Sequence, residues 1–368
     1  MKVVIVIGTR PEIIKVAPII KKLDRHKTTL IFTGQHYDYN MSLKFFDELG
    51  ISDPDYKINL TKVQNTTTDR ATQTGEIIIK LAKIIASVDP DTLMVHGDTN
   101  TTLAATITAL KSGIPVNHVE SGIRSYDWTM PEEHNRIEVD HISEILFAPT
   151  NQTKKNLEIE NVHGKIFVTG NTALDSVEQN IKNVEKKTEL SLKFNDFVLT
   201  TLHRGSNVDS KDNLSSIIGA LLKSNVNIIF PVHPRTKKSL MKFGLYDKIR
   251  NTKNIHMLPP VGYFDMLYLM KKCRFIITDS GGLQEEATSP NLRKKVLVVR
   301  KKTDRPEAVK SGFSELLGLN TSVILRRIKE NMSDSSILSK TSPYGNGHAS
   351  DKIVKILKNY NFKSNSLF

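Results

Sequence analysis

Five short apolar runs in this chain each end in residues able to do chemistry. Residues 3–7 lead into Gly8, Thr9, Arg10, Pro11 and Glu12, with Lys15 one turn further on. Residues 92–95 lead into His96, Gly97, Asp98 and Thr99. Residues 115–119 lead into Glu120, Ser121 and Gly122, and a little later come Pro131, Glu132 and Glu133. Residues 197–202 lead into His203 and Arg204. Residues 274–278 lead into Asp279, Ser280, Gly281 and Gly282, then Gln284, Glu285 and Glu286. In open α/β sheets, ligands bind in the crevice outside the carboxyl ends of the strands. Cations, carboxylates, a histidine and a Ser-Gly-Gly turn are therefore expected around one crevice. That is the equipment for binding an anion and moving protons beside it.

Each constellation has a plainer reading beside its chemical one. Gly8 to Glu12 end a strand and open a helix, with Pro11 suited to a first helical position, so the helix start is an anion site by geometry. The same residues also fit an ordinary turn with surface cations. Asp98, Glu120 and Glu132 follow neighbouring strands or open a helix. Clustered carboxylates repel, so at least one is expected to titrate high. Asp98 fits a helix cap equally well, and Glu133 reads as a structural partner of Arg136. His134, Glu138 and His141 share a helix face but lack a matched carboxylate–histidine motif, and no metal site is expected. His203 has no nucleophile elbow to serve and reads as a hydrogen-bond donor to an anion. Residues 231–235, with His233 and Arg235, fit a rigid strand-ending turn.

The composition narrows the class. The chain has 368 residues, of which 39% are hydrophobic and 25% charged, the profile of a folded soluble protein of two domains. The single cysteine, Cys273, excludes an internal disulfide framework and reads as an inert, partly buried thiol. The first apolar run is too short for a signal peptide, and no stretch reaches membrane-spanning length, so a cytoplasmic protein that does not enter a membrane is expected. The net charge of +13 is uneven. Residues 1–170 hold 19 Lys and Arg against 21 Asp and Glu, whereas residues 171–368 hold 33 against 18. The second half therefore suits an anionic partner, nucleic acid or a nucleoside diphosphate, beside the plainer reading of a lysine-rich surface that keeps the protein soluble, and the lack of a basic stretch interleaved with aromatics weakens a single-stranded nucleic-acid platform.

The elements that position these residues alternate. Strands are expected at 3–7, 30–33, 92–95, 116–119, 145–148 and 165–169, then at 197–201, 227–231, 255–258, 275–278 and 296–299. Helical patterns lie between them, for instance at 12–25, 151–160 and 212–224. Continuous apolar strands separated by helices imply parallel sheets covered on both faces. Two such series imply an α/β protein of two doubly wound, Rossmann-like domains. The expected boundaries are 1–172 and 173–345, with 180–195 as a hinge or as the surface start of the second domain. A last helix within 346–368 is expected to pack across the domain boundary.

Taken together and in order, these stretches resemble the non-hydrolysing UDP-N-acetylglucosamine 2-epimerases. The matching segments run from Gly8 to Lys15, His96 to Thr99, His118 to Gly122, Pro131 to Glu133, Gly170 to Thr172, His203 and Arg204, Asp279 to Glu286, and Arg305 to Ala308, and they span essentially the whole chain. The resemblance implies a glycosyltransferase-B-like pair of domains with the active site in the cleft between them, a homodimer, and no cofactor. It implies reversible conversion of UDP-GlcNAc to UDP-ManNAc for surface glycan synthesis. UDP leaves as C2 is deprotonated, giving a 2-acetamidoglucal, and adds back as C2 is reprotonated on the other face.

By the same resemblance, Asp98, Glu120, Glu132 and His203 are the catalytic candidates. Arg10, Lys15 and His203 would contact the diphosphate. Ser280, Gly281 and Gly282 would hold phosphate through backbone N–H groups, Glu286 would take the ribose hydroxyls, and Arg305 would support the phosphate side. Val261 and Met266 would border the uracil, beside Tyr263. The sequence departs from the family at Ser121, at Ser206 and in the basic stretch 289–295. Residues 35–38 match only part of the region that binds a second, activating UDP-GlcNAc. Three rivals remain: a 2-epimerase of a modified UDP-sugar, with Tyr37, Tyr126 and Trp128 near the sugar; a glycosyltransferase of the same architecture; and a basic nucleic-acid-binding protein.

Overall fold

The computed structural model describes residues 1–34, 45–61, 67–333 and 340–362. Residues 35–38, including Tyr37, lie outside the described residues, as does most of the polar stretch after residue 333. The chain forms two compact units. One holds Met1–Ser176 and Tyr344–Phe368, the other Val177–Pro343. The division thus falls four residues later than the expected 172, inside the helix Thr172–Asn180.

Each unit is built on a parallel sheet. In the first, β1 (Val3–Ile7), β2 (Thr28–Phe32), β3 (Tyr56–Lys57), β4 (Thr92–His96), β5 (Val116–Val119), β6 (Ile145–Ala148) and β7 (Lys165–Val168) are ordered β3-β2-β1-β4-β5-β6-β7. In the second, β8 (Val198–Thr201), β9 (Ile228–Pro231), β10 (Ile255–Leu258), β11 (Ile276–Thr278), β12 (Val296–Val298) and β13 (Ser314–Leu316) are ordered β10-β9-β8-β11-β12-β13. Both follow the doubly wound 3-2-1-4-5-6 arrangement, the first with one added strand. The order reverses between β1 and β4 and again between β8 and β11. Ligands of such sheets bind at these reversal points, beyond the strand carboxyl ends.

The central strands are buried along their whole length, β1, β4 and β5 without an exposed residue. Burial on both faces is why they read as unbroken apolar runs rather than alternating ones. Two strands carry no such signal. Tyr56–Lys57 is a two-residue edge strand with both side chains exposed, and Ser314–Leu316 carries a glutamate in its middle. The helix Thr67–Val88 starts polar and ends apolar, burying Ile77, Leu81 and Ile85, the last two against β1 and β4 residues.

The ends of the units follow the chain in two places. Of the two readings of the segment from 180, it forms the start of the second unit, with Ile181 and Val184 buried in a short 3-10 turn and helix. The last helix, Ala349–Asn359, belongs with the first unit. It buries Ile353, Val354 and Leu357. Asp175 caps its start, accepting from the N–H groups of Ala349 at 3.0 Å and Ser350 at 2.8 Å.

Candidate functional site

In the first unit the expected residues converge at the sheet reversal. β1 ends at Gly8, which is close-packed: a Cβ there would sit 2.2 Å from Thr101 Oγ1 and 2.6 Å from Thr33 Oγ1. Glu12, in the first turn of the helix Arg10–Ile20, ties this turn together. One carboxylate oxygen accepts from Gly8 N at 3.0 Å, and from Thr9 N and Thr9 Oγ1 at 2.7 Å each. The other accepts from Thr99 Oγ1 at 3.0 Å and Thr102 Oγ1 at 3.2 Å, joining the turn after β1 to the turn after β4. Thr99, not Asp98, caps the helix Asn100–Lys111.

That leaves Asp98 for other work. Its carboxylate pairs with the Arg136 guanidinium, which also binds Glu133 at 2.7 Å. Glu133 in turn accepts from the backbone N–H groups of Ser125 at 2.9 Å and Tyr126 at 2.8 Å, so it holds the preceding loop. Glu132 is exposed on the first turn of the helix Pro131–Ile142, whereas its neighbour Glu133 is buried.

Glu120 follows β5 with φ +72°, a left-handed backbone that costs a non-glycine residue energy. Its carboxylate meets Lys15 Nζ in an ion pair, with side-chain exposures of only 8% for Lys15 and 10% for Glu120. Asn171 Nδ2 donates to it at 3.5 Å, and His96 Nε2 lies 3.5 Å away. Lys15, expected on a diphosphate, is thus placed on the candidate acid–base group. Arg10 is half-buried over the Phe45 ring, 5.2 Å from its centroid.

A buried network fixes the geometry of these turns. His118 of β5 donates from Nε2 to Gly97 O at 2.8 Å, and its Nδ1 meets Asp140 Oδ1 at 2.7 Å. Asp140 also accepts from Gly122 N at 3.0 Å and Arg124 Nη1 at 2.7 Å. Burial would raise the Asp140 pKa, but His118 and then Arg124 outweigh it and hold the carboxyl below its ordinary value. The turns carrying Asp98 and Glu120 are therefore locked to one another through His118.

The carboxylates of Asp98 and Glu120 have separate partners. Each sits on a cation. The Glu12 carboxyl is pushed up, burial outweighing the hydrogen bonds from Thr9, Gly8 and Thr99.

The second unit repeats the placement with different chemistry. At the reversal between β8 and β11, Asp279 is fully buried. It accepts from His203 N at 3.0 Å, Arg204 N at 3.1 Å and Asn207 Nδ2 at 3.1 Å, which fixes the turn after β8. His203 keeps 38% of its side chain exposed, with Nδ1 3.3 Å from Asp279. Its pKa is lowered, chiefly by burial; Asp279 opposes this, and Arg204, His233 and Arg300 add to it. A neutral donor at neutral pH is the result.

Ser280 caps the helix Gly281–Glu286, its hydroxyl accepting from Leu283 N at 3.4 Å. Its own N–H is engaged with Thr278 Oγ1 at 2.9 Å, so of the expected phosphate donors Gly281 and Gly282 are the ones at the helix start. A Cβ on Gly281 would meet only ordinary contacts, with Asp304, Arg305 and Arg204 at 3.5 to 3.7 Å. Two arginines thus border that helix start. Arg305 is itself nearly buried, paired with the buried Glu285 and 3.2 Å from Asp304, which also meets Arg300 at 2.8 Å. Met266 and Val261 are half-buried beside Tyr263. The Tyr263 hydroxyl is buried and pushed well up, by burial and then by the charge of Glu286.

Asp140 supports the site without standing out in the sequence, whereas Glu12, Arg136 and Asn171 fall in stretches noted there but with their supporting contacts unforeseen. Their partners lie far away along the chain, and only Arg136, spaced three residues from Glu133, leaves a local trace. His233 accepts from Arg235 N at 3.2 Å and Arg235 pairs with Asp209 at 3.0 Å, as a strand-ending turn would. Among the described residues no cluster of three or more His, Cys, Asp or Glu could hold a metal ion, and no helix is long and apolar enough to cross a membrane.

Two doubly wound units with ligand-ready sheet reversals, one rich in carboxylates and one in cationic groups, define a glycosyltransferase-B-like nucleotide-sugar enzyme. A family model described as UDP-N-acetylglucosamine 2-epimerase matches residues 20–358. The chain belongs to that family. It is 41% identical over 370 residues to a UDP-N-acetylglucosamine 2-epimerase of Methanocaldococcus jannaschii, covering 97% of this chain and 99% of that one. A crystal structure of the M. jannaschii enzyme in complex with UDP-GlcNAc and UDP superposes with a TM-score of 0.87 at 40% identity, covering 98% and 100% of the two chains. A Pseudomonas aeruginosa relative, UDP-2,3-diacetamido-2,3-dideoxy-D-glucuronate 2-epimerase, is 33% identical over 366 residues, covering 97% and 99%.

Proposed function

We propose that this chain reversibly epimerises UDP-GlcNAc at C2 to give UDP-ManNAc. The observation that carries the reading is the state of Glu120: a carboxylate in a strained backbone, nearly buried, and paired with Lys15. A group held at that cost suits a proton-transfer role. The C2 proton of the sugar is not activated by a carbonyl, so its removal must accompany departure of UDP. Glu120 and Asp98, with Glu132 on the helix that follows, divide the removal and return of the proton. Departure of the diphosphate calls for donors that are strongest when charge develops. His203, Arg204 and the N–H groups of Gly281 and Gly282 are of that kind, with Arg305 in support, Glu286 for the ribose, and Val261 and Met266 for the base. Arg10 completes the cationic set, while Lys15 keeps Glu120 ionised. No cofactor is required by this chemistry. The reading includes a homodimer working in the cytoplasm, supported by the family resemblance.

Proton NMR in D2O tests it. UDP-ManNAc should form from UDP-GlcNAc, with deuterium appearing at C2 of the sugar pool. Glu120→Gln should lose at least about 100-fold in kcat while UDP affinity changes little. A protein that binds UDP but leaves UDP-GlcNAc unchanged would reject this substrate. The second reading, a diacetamido uronate substrate, is favoured by the P. aeruginosa relative, and the same assay with that UDP-sugar decides between them.

A further inference from the structure

His96 is the last residue of β4 and is only 3% exposed. Neither ring nitrogen has a hydrogen-bond partner among the described residues. Buried polar atoms are normally satisfied, and an imidazole left otherwise calls for a reason. Its surroundings suggest one. Nε2 lies 3.5 Å from Glu120 Oε2, slightly long for a hydrogen bond and short enough for a small shift to make one. On the helix Arg10–Ile20, Lys15 holds the same Glu120 oxygen. Asn171 Nδ2 also approaches Glu120 Oε2, at 3.5 Å. Lys15, as an ammonium, and the Asn171 amide N–H can only donate to this carboxylate. His96 alone of the three can either donate a proton to it or take one.

We infer that His96 is a positioning residue that exchanges a proton with Glu120, so that Glu120 is restored to its working charge within the turnover. The inference rests on the epimerase reading above. When Glu120 carries a proton taken from the sugar, the O–H bond breaks toward Nε2 of a neutral ring whose proton sits on Nδ1. An imidazolium and a carboxylate remain. The reverse transfer returns the proton to Glu120. No other reactant is needed. The ion pair with Lys15 favours the carboxylate form that results.

The test compares His96→Gln and His96→Ala with the wild type in the UDP-GlcNAc assay, reading kcat and KM separately and UDP affinity by calorimetry. Glutamine can present an N–H near the Nε2 position but cannot hold an extra proton. Both variants should lose about 100-fold in kcat, with KM within about twofold and UDP affinity unchanged. If His96→Gln keeps kcat within about threefold of wild type, the ring serves only as a donor and the proton exchange is overturned. Parallel losses of kcat and UDP affinity in His96→Gln would mark a purely structural role and overturn it equally. Should His96→Ala fail to fold, His96→Gln alone decides. A wild-type protein without 2-epimerase activity removes the epimerase reading and this inference together.

Discussion

Lys15 and Glu120 form a nearly buried ion pair that joins the helix after β1 to the turn after β5. Two residues 105 positions apart in sequence thereby share one charge environment. The pairing changes what a substitution at Lys15 should do. A group that merely bound diphosphate would affect affinity first. A group that keeps Glu120 ionised should affect turnover first. Lys15→Met is therefore expected to lower kcat by about 100-fold or more while UDP affinity falls by less than about fivefold. Steady-state kinetics beside UDP calorimetry measures both, and a dominant loss of affinity would return Lys15 to the diphosphate.

Asp140 gives a prediction about pH and stability. Its folded-state pKa lies below the ordinary value, so the stability it contributes is present above the unfolded pKa of about 3.9 and is lost as pH falls through the folded one. Asp140→Asn should destabilise the first unit by about 3–5 kcal/mol at neutral pH, because Arg124 and His118 lose a buried partner. The difference from wild type should shrink as pH falls below about 4. Thermal melts monitored by circular dichroism at several pH values check this, and a pH-independent difference would contradict it.

His203 gives the opposite sign in binding. Its lowered pKa means the ring is neutral at neutral pH and gains a charge on acidification. An added cation beside a diphosphate should tighten UDP binding as pH falls through that lowered value. His203→Asn should lose this component, leaving only the pH dependence of UDP itself. Calorimetry of both proteins from about pH 5 to about pH 8 isolates the difference, and identical profiles would remove His203 from the diphosphate's surroundings.

Much of this architecture is legible because parallel strands buried on both faces leave unbroken apolar runs, as β1, β4 and β6 do. The residues just beyond those runs are legible for the same reason, since a doubly wound sheet places them at its ligand-binding edge. Strands without the signal, such as Tyr56–Lys57, are not. Nor are the supports of the site. Glu12 looks like a helix-opening acid, yet its partners Thr99 and Thr102 come from the turn after β4 and the helix it opens. Asp140 reads as one more polar position on an amphipathic helix, and only the fold brings His118 and Arg124 to it. The left-handed backbone of Glu120 has no sequence trace, because glycine and asparagine are the residues that announce one.

Cys273 has a practical consequence. It is the only cysteine in the chain, it is 1% exposed, and burial pushes its thiol up to about 12. Thiolate, not thiol, is the attacking species. The native enzyme should therefore be silent toward maleimides, and a single engineered surface cysteine in either unit would become its one reactive handle. Fluorophores or spin labels can then be installed without first stripping the chain of its own sulfur, and turnover can be followed on otherwise native protein.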